Sequence, residues 1–147
     1  MRRTFFLGVV VFVLARAGSF EVAGQPEDKK LVHAFLVKDK GDKPATTFSA
    51  DVPTIHLIWK GERLQAGDEI RVVWIAEDVG AAARKETIIG ERSVTVYKPD
   101  EDGFIALSRP RGRDWPVGQY RAEIYIGKKL AEALRFTIQP GVNVEVR

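Results

Sequence analysis

Two histidines, four serines and no cysteine are a thin supply of catalytic side chains for a chain of 147 residues. Without cysteine there is no disulfide framework and no thiolate metal site. His33 and His56 cannot hold zinc alone, because such a site takes at least three protein ligands and carboxylates would have to complete it. None of Ser19, Ser49, Ser93 or Ser108 stands in the G-x-S-x-G turn that presents a nucleophile in many hydrolases. A Ser-His-Asp grouping is defined by geometry, not order. A small hydrolase would therefore need His33 or His56 in a pocket beside a carboxylate and a hydroxyl. Asp100-Glu101-Asp102-Gly103 has the composition of an oxygen-rich calcium turn. The EF-hand pattern fails there, since its first ligand position would be Lys98 and its last Arg109. The segment reads as a solvated turn. The expectation is a non-enzymatic chain with no cofactor and no metal.

The residues best suited to binding are Arg109, Arg111, Arg113 and Trp115, in Arg109-Pro110-Arg111-Gly112-Arg113-Asp114-Trp115. Pro and Gly keep such a segment extended or turned, and guanidinium groups grip phosphate or carboxylate through a bidentate fork. Trp115 could stack on a sugar or on an arginine; the other reading is a solvated loop whose Trp115 caps the end of the core. The implied partner is a protein or an anionic envelope component. Trp59 shares a strand face with Ile55 and Leu57 and reads as core. A carbohydrate-binding module would instead expose Trp59 or Trp115 on one face.

Charge narrows the partners. The chain carries 23 Lys+Arg against 20 Asp+Glu, but Arg2, Arg3 and Arg16 lie in an acid-free stretch at the start. Without them 20 bases face 20 acids, and overall charge gives no reason to expect nucleic-acid binding. That stretch, MRRTFFLGVVVFVLARA, has a basic start, an uncharged run from Thr4 to Ala15 and small residues at Ala15 and Ala17. It reads as a signal peptide over residues 1–17. A membrane anchor needs about 20 apolar residues, and Arg16 ends this run too early. No transmembrane anchor is expected after cleavage, nor lipidation, since no cysteine follows. The general secretory route is favoured over a twin-arginine route, although Arg2-Arg3 resembles the start of the latter. The expected destination is periplasmic or extracellular.

Positioning these residues requires a scaffold. Residues 18–30 read as a flexible lead-in. Strand patterns follow over Leu31–Lys38, Pro53–Lys60, Glu69–Asp78, Thr87–Lys98, Phe104–Arg109, Gly118–Ile126 and Lys129–Ile138, with a short one starting near Phe48; Thr87–Lys98 is one long strand or two short ones broken at Gly90. Lys128–Arg135 has helical composition, yet Leu134, Phe136 and Ile138 continue a period of two, so a hairpin through Gly127-Lys128 is expected. Residues 139–147 form a tail in which Val142, Val144 and Val146 alternate with polar residues. The tail is a candidate extra edge strand, in its own molecule or donated to another as in a pilus-like fibre. Seven or eight short strands in about this length imply an all-β, antiparallel two-sheet sandwich.

Two features sharpen that expectation. Trp74, in Ile70-Arg71-Val72-Val73-Trp74, falls where a buried Trp stands on the third strand of immunoglobulin-like domains. Asp114-Trp115-Pro116-Val117-Gly118-Gln119-Tyr120 then resembles a tyrosine corner. The region 31–138 is thus similar to the immunoglobulin-like or fibronectin-III-like sandwiches of secreted bacterial proteins. Ala122 stands where an antibody domain has its cysteine. The resemblance implies structural roles for Trp74 and Tyr120, and loops at the sandwich ends free to carry function. The resulting expectation is an exported interaction module.

Overall fold

The computed structural model describes residues 29–141. The leader at 1–17, nearly all of the lead-in and the tail from 142 to 147 lie outside the described residues, and so do the expectations attached to them. Eight strands follow in chain order: β1 (Leu31–Val37), β2 (Thr47–Ser49), β3 (Thr54–Glu62), β4 (Glu69–Asp78), β5 (Thr87–Thr95), β6 (Gly103–Ser108), β7 (Gly118–Ile126) and β8 (Lys129–Gln139). A single 3-10 turn, Gly80–Ala82, lies between β4 and β5.

The strands form two sheets, one ordered β1-β3-β6 and the other β2-β8-β7-β4-β5. Every pairing is antiparallel except β2 with β8, which is parallel. This is an immunoglobulin-like sandwich, with β4, β7 and β8 in one sheet and β5 added at its edge. Alternation builds the core. In β4, Ile70, Val72, Trp74 and Ala76 point inward, and in β7 Tyr120, Ala122 and Ile124 do the same. Ile55, Leu57 and Trp59 of β3 close over them from the facing sheet. Trp74 is 1% exposed, and Ala122 stands directly opposite it across the strand pair.

Phe136 of β8 joins the aromatic residues. Its ring stacks on Tyr120 at 5.3 Å and meets Trp74 and Phe48 edge-on at 6.1 and 5.9 Å. Offset-stacked and edge-to-face aromatic pairs add about 0.5–1.5 kcal/mol each beyond the area they bury. The indole N–H groups of Trp59 and Trp74 are buried without a hydrogen-bond partner among the described residues. Each costs about 1–3 kcal/mol in desolvation, a burden carried by the apolar area of the rings.

The structure settles or departs from the sequence expectations at three places. Gly90 does not break the strand: β5 runs unbroken from Thr87 to Thr95. The irregularity is a bulge in which Ile89 has no opposite residue, between the pairs Trp74–Gly90 and Ile75–Ile88. Glycine at 90 lets Leu107 of the other sheet pack close, since a Cβ there would lie 2.8 Å from Leu107 Cδ1 and push that side chain aside. The strand pattern read as ending at Lys60 continues as β3 to Glu62, in register with Leu31 of β1. The parallel pairing of β2 with β8 has no signature in local pattern, because it joins segments about ninety residues apart.

Candidate functional site

The segment from Arg109 to Tyr120 crosses from β6 to β7 at one end of the sandwich and is anchored on both sides of residues 110–113. Arg109 N–H donates to the Pro53 carbonyl at 2.9 Å, and Trp115 N–H donates to the Ala50 carbonyl at 2.8 Å. The Trp115 indole Nε1 donates to the Val52 carbonyl at 2.7 Å. Arg109 Nη1 donates both to the Asp51 carbonyl at 3.2 Å and to Asp114 Oδ1 at 2.9 Å. The Tyr120 hydroxyl donates back to the Pro116 carbonyl at 2.5 Å, which is the tyrosine corner. Burial pushes that hydroxyl up to about 12. Gly118 opens β7 at φ +152°, where a Cβ would collide with the Asp78 carbonyl.

These contacts divide the four binding candidates. Arg109 is a staple, committed to Asp51 and Asp114. Trp115 is 5% exposed and fills the sandwich end, so its ring is not open to stack on a ligand. Trp59 and Trp74 are buried too, at 4% and 1%, so no tryptophan forms an exposed sugar-stacking face. Arg111 and Arg113 differ from all of these. Both are exposed, and neither enters a hydrogen bond or an ion pair among the described residues. Gly112 between them, at φ +72°, turns the backbone.

Arg113 also borders a cleft of about 330 Å³. Val79, Ala82 and Ala83 from the β4–β5 connection, Ile89 of β5 and Leu107 of β6 line it, and the buried rings of Trp115 and Tyr120 contribute to its inner surface. Arg113 is the sole charged residue among those lining it. Apolar spacing along the chain could not reveal this cleft, because its walls come from four segments that only the sandwich brings together.

The catalytic candidates do not converge. His33 Nε2 lies 3.1 Å from Glu62 Oε2 on an exposed surface, and His56 Nδ1 lies 3.1 Å from the Lys38 carbonyl. Among the described residues, no three of His, Asp or Glu cluster as a metal site would need. The acidic turn is occupied with backbone. Asp100 Oδ1 accepts from Leu64 N–H at 3.1 Å, Glu101 Oε2 from Tyr97 N–H at 2.6 Å, and Asp102 Oδ1 from Gly61 N–H at 3.2 Å. Its carboxylates thus take up backbone donors at the end of β3 and in the β3–β4 and β5–β6 turns.

A second polar feature, on the outer face of the larger sheet, went unforeseen. Arg121 of β7 reaches Glu77 at 3.1 Å, Glu86 at 2.5 Å and Glu123 at 2.8 Å. Arg135 adds a bond to Glu77 at 3.1 Å, and the Tyr125 hydroxyl donates to Glu123 at 2.6 Å. Desolvation alone would raise Glu77, but hydrogen bonds from Arg121 and Arg135 outweigh it and hold its pKa below the ordinary value. The Tyr125 hydroxyl and then Arg121 do the same for Glu123. In return, Glu123 foremost, with Glu86 and Glu77, raises the pKa of Arg121. In the antiparallel register Ile75 and Val73 of β4 face Arg121 and Glu123.

No family model and no curated protein sequence matches the chain. Among solved structures, it is similar to an alkylpurine DNA glycosylase from Pseudomonas fluorescens bound to DNA containing an abasic site analog. The TM-score is 0.50 at 8% identity, over 75% of this chain and 30% of that one. An immunoglobulin-like protein from Pseudomonas aeruginosa aligns at TM-score 0.48 and 10% identity, over 76% of this chain and 92% of that one. A mutant beta-glucosidase from Listeria innocua, in complex with laminaribiose, aligns at 0.47 and 9%, over 77% of this chain. The chain spans only 16% of that beta-glucosidase's length. With the glycosylase, the likeness is one of fold alone.

Proposed function

We propose that the chain is an exported, non-enzymatic immunoglobulin-like module that binds a protein or an anionic component of the cell envelope or extracellular space. One observation carries this reading: Arg111 and Arg113 are exposed and unpaired among the described residues, Arg113 borders a largely apolar cleft, and their loop is stapled to the sandwich at Ala50–Pro53. A loop anchored at both ends has less backbone entropy to lose on binding, although its exposed arginine side chains still lose theirs. Arginine suits anions because its fork matches carboxylate and phosphate oxygens. The leader sequence supports export, and the likeness of the sequence pattern to sandwiches of secreted bacterial proteins agrees with it. With the leader's charges set aside the chain is neutral, so attraction here is local and a nucleic-acid partner is not part of the reading.

The test is capture of envelope and extracellular components by tagged protein, wild type against the Arg111→Ser/Arg113→Ser double variant. Capture should fall several-fold while thermal unfolding stays unchanged. It should also weaken with salt, since exposed charges are screened over about 8–10 Å at physiological ionic strength. Arg109 is left intact because it staples the loop. Undiminished capture by a stably folded double variant overturns the reading.

A further inference from the structure

The lining of the cleft limits what can occupy it. Its walls are mainly the methyl and methylene groups of Val79, Ala82, Ala83, Ile89 and Leu107, with the Trp115 and Tyr120 rings; apart from those rings, Ser108 with its hydroxyl is the one uncharged polar side chain among the lining residues. The polar handles of those rings are already taken: the Trp115 N–H is bonded to Val52 and the Tyr120 hydroxyl to Pro116. A peptide or sugar inserted here would lose hydration from several amides or hydroxyls, and among uncharged side chains only Ser108 could replace a partner; each group left unpaired costs about 1–3 kcal/mol. A hydrocarbon chain meets no such penalty and gains from leaving water. At about 330 Å³ the cleft stands at the small end of the range for ligand sites, roughly 300–1,000 Å³, so the chain must be short. The remaining requirement is electrostatic. Arg113 is the charged residue in the lining, exposed and unpaired among the described residues, and exposed Arg111 is two positions away. The complement of this arrangement is one apolar tail joined to one anionic head.

We infer that this cleft is a binding site for a short-chain amphipathic anion: an unbranched alkyl chain lying against Ile89, Leu107 and Ala83, its carboxylate held by Arg113. The inference rests on the binding-module reading and names the ligand chemistry of the same site. Octanoate is the probe, added to the purified full chain below its micellar concentration, with octanol and octylammonium as matched tails carrying no charge or the opposite charge. Methyl chemical shifts of Ala83, Ile89 and Leu107 should move saturably with octanoate. Octanol and octylammonium should bind at least ten-fold more weakly. Arg113→Gln should bring octanoate down to the affinity of octanol, and Ala82→Phe, a change at an exposed position that fills the cleft, should abolish binding of both. Absence of saturable shifts at millimolar octanoate overturns the inference. So do shifts scattered outside the cleft, or octanol binding as tightly as octanoate. Failure here with arginine-dependent capture intact would leave the binding-module reading standing. Octanoate binding with capture indifferent to Arg111 and Arg113 would remove that reading and keep the cleft as a small-molecule site.

Discussion

Arg113 and Arg121 are the same residue type eight positions apart, and the sandwich uses them in opposite ways. Arg121 is 19% exposed along its side chain and bonds three carboxylates. Arg113 is exposed on a loop, with no acid bonded to it among the described residues. The nearest acid in sequence, Asp114, is bonded to Arg109 instead. The difference lies in register. Arg121 is on a central strand, where β4 brings Glu77 from 44 positions away and the β4–β5 connection brings Glu86. Arg113 follows a glycine turn on a loop whose hydrogen bonds point back into the sandwich and leave the guanidinium outward. An arginine is available to a ligand when the fold fails to supply it with an acid, and composition alone does not report that.

The largest way to break this contrast is to remove what holds the loop rigid. Trp115→Ala should cost about 3–5 kcal/mol, the range for deleting a large buried aromatic, because it removes both the ring and the Val52 bond. Chemical denaturation measures it. A cost under about 1 kcal/mol would show that the loop owes its position to something else, and the distinction between a stapled arginine and free ones would lose its structural basis.

Arg121→Ala tests the other side and should cost less, about 1–3 kcal/mol, since it leaves Glu77 and Glu123 partly buried without their shared cation. The pH dependence gives a sharper reading. Both carboxyls have folded-state pKa values held below the ordinary glutamate value of 4.5. Their contribution is therefore complete above that value and is lost as pH falls through the folded pKa values. In the wild type, acid should erode stability below about pH 4.5. In Arg121→Ala that acid limb should be shallower, because the main partner shared by the two glutamates is gone. Parallel acid limbs in the two proteins would show that the cluster contributes nothing to folding.

How much of this was legible in the sequence follows the range of the physics involved. Strand positions were readable because alternation is local: Ile70, Val72 and Trp74 declare a buried face within five residues. Trp74 and Tyr120 were readable because each sits in a short pattern with a fixed structural role, and the Tyr120 bond to Pro116 spans only four positions. In sequence, Arg109 and Trp115 share one loop with the other arginines and read as binding candidates, with Trp115 alternatively a cap on the core; nothing local decides between these. Their actual partners, Asp51 and Val52, lie 58 and 63 positions away. The Arg121 cluster was missed for the same reason, its carboxylates arriving through strand register. The cleft was hidden because Ile89, Leu107 and Trp115 become neighbours only when the two sheets close on each other.

The smallest expected effect discriminates most finely. Replacing Arg111 and Arg113 together by serine should change stability by no more than about 0.5 kcal/mol, as for surface substitutions that touch no cap, core or network. Removing Arg121 alone should cost more than removing both of these, although fewer charges are lost. The reason is that exposed guanidiniums already have water as their partner in the folded and the unfolded state. One alternative would raise the cost: if the Arg113 stem covers the Trp115 and Leu107 surface with its methylenes, serine would uncover apolar area. Substituting Arg113→Lys separates the two, since lysine keeps an aliphatic stem but not the planar fork. A stable lysine variant beside a destabilised serine variant would assign Arg113 to covering the sandwich end. Equal stability of wild type, lysine and serine forms leaves the guanidinium with no folding role, as expected of a group kept for a ligand.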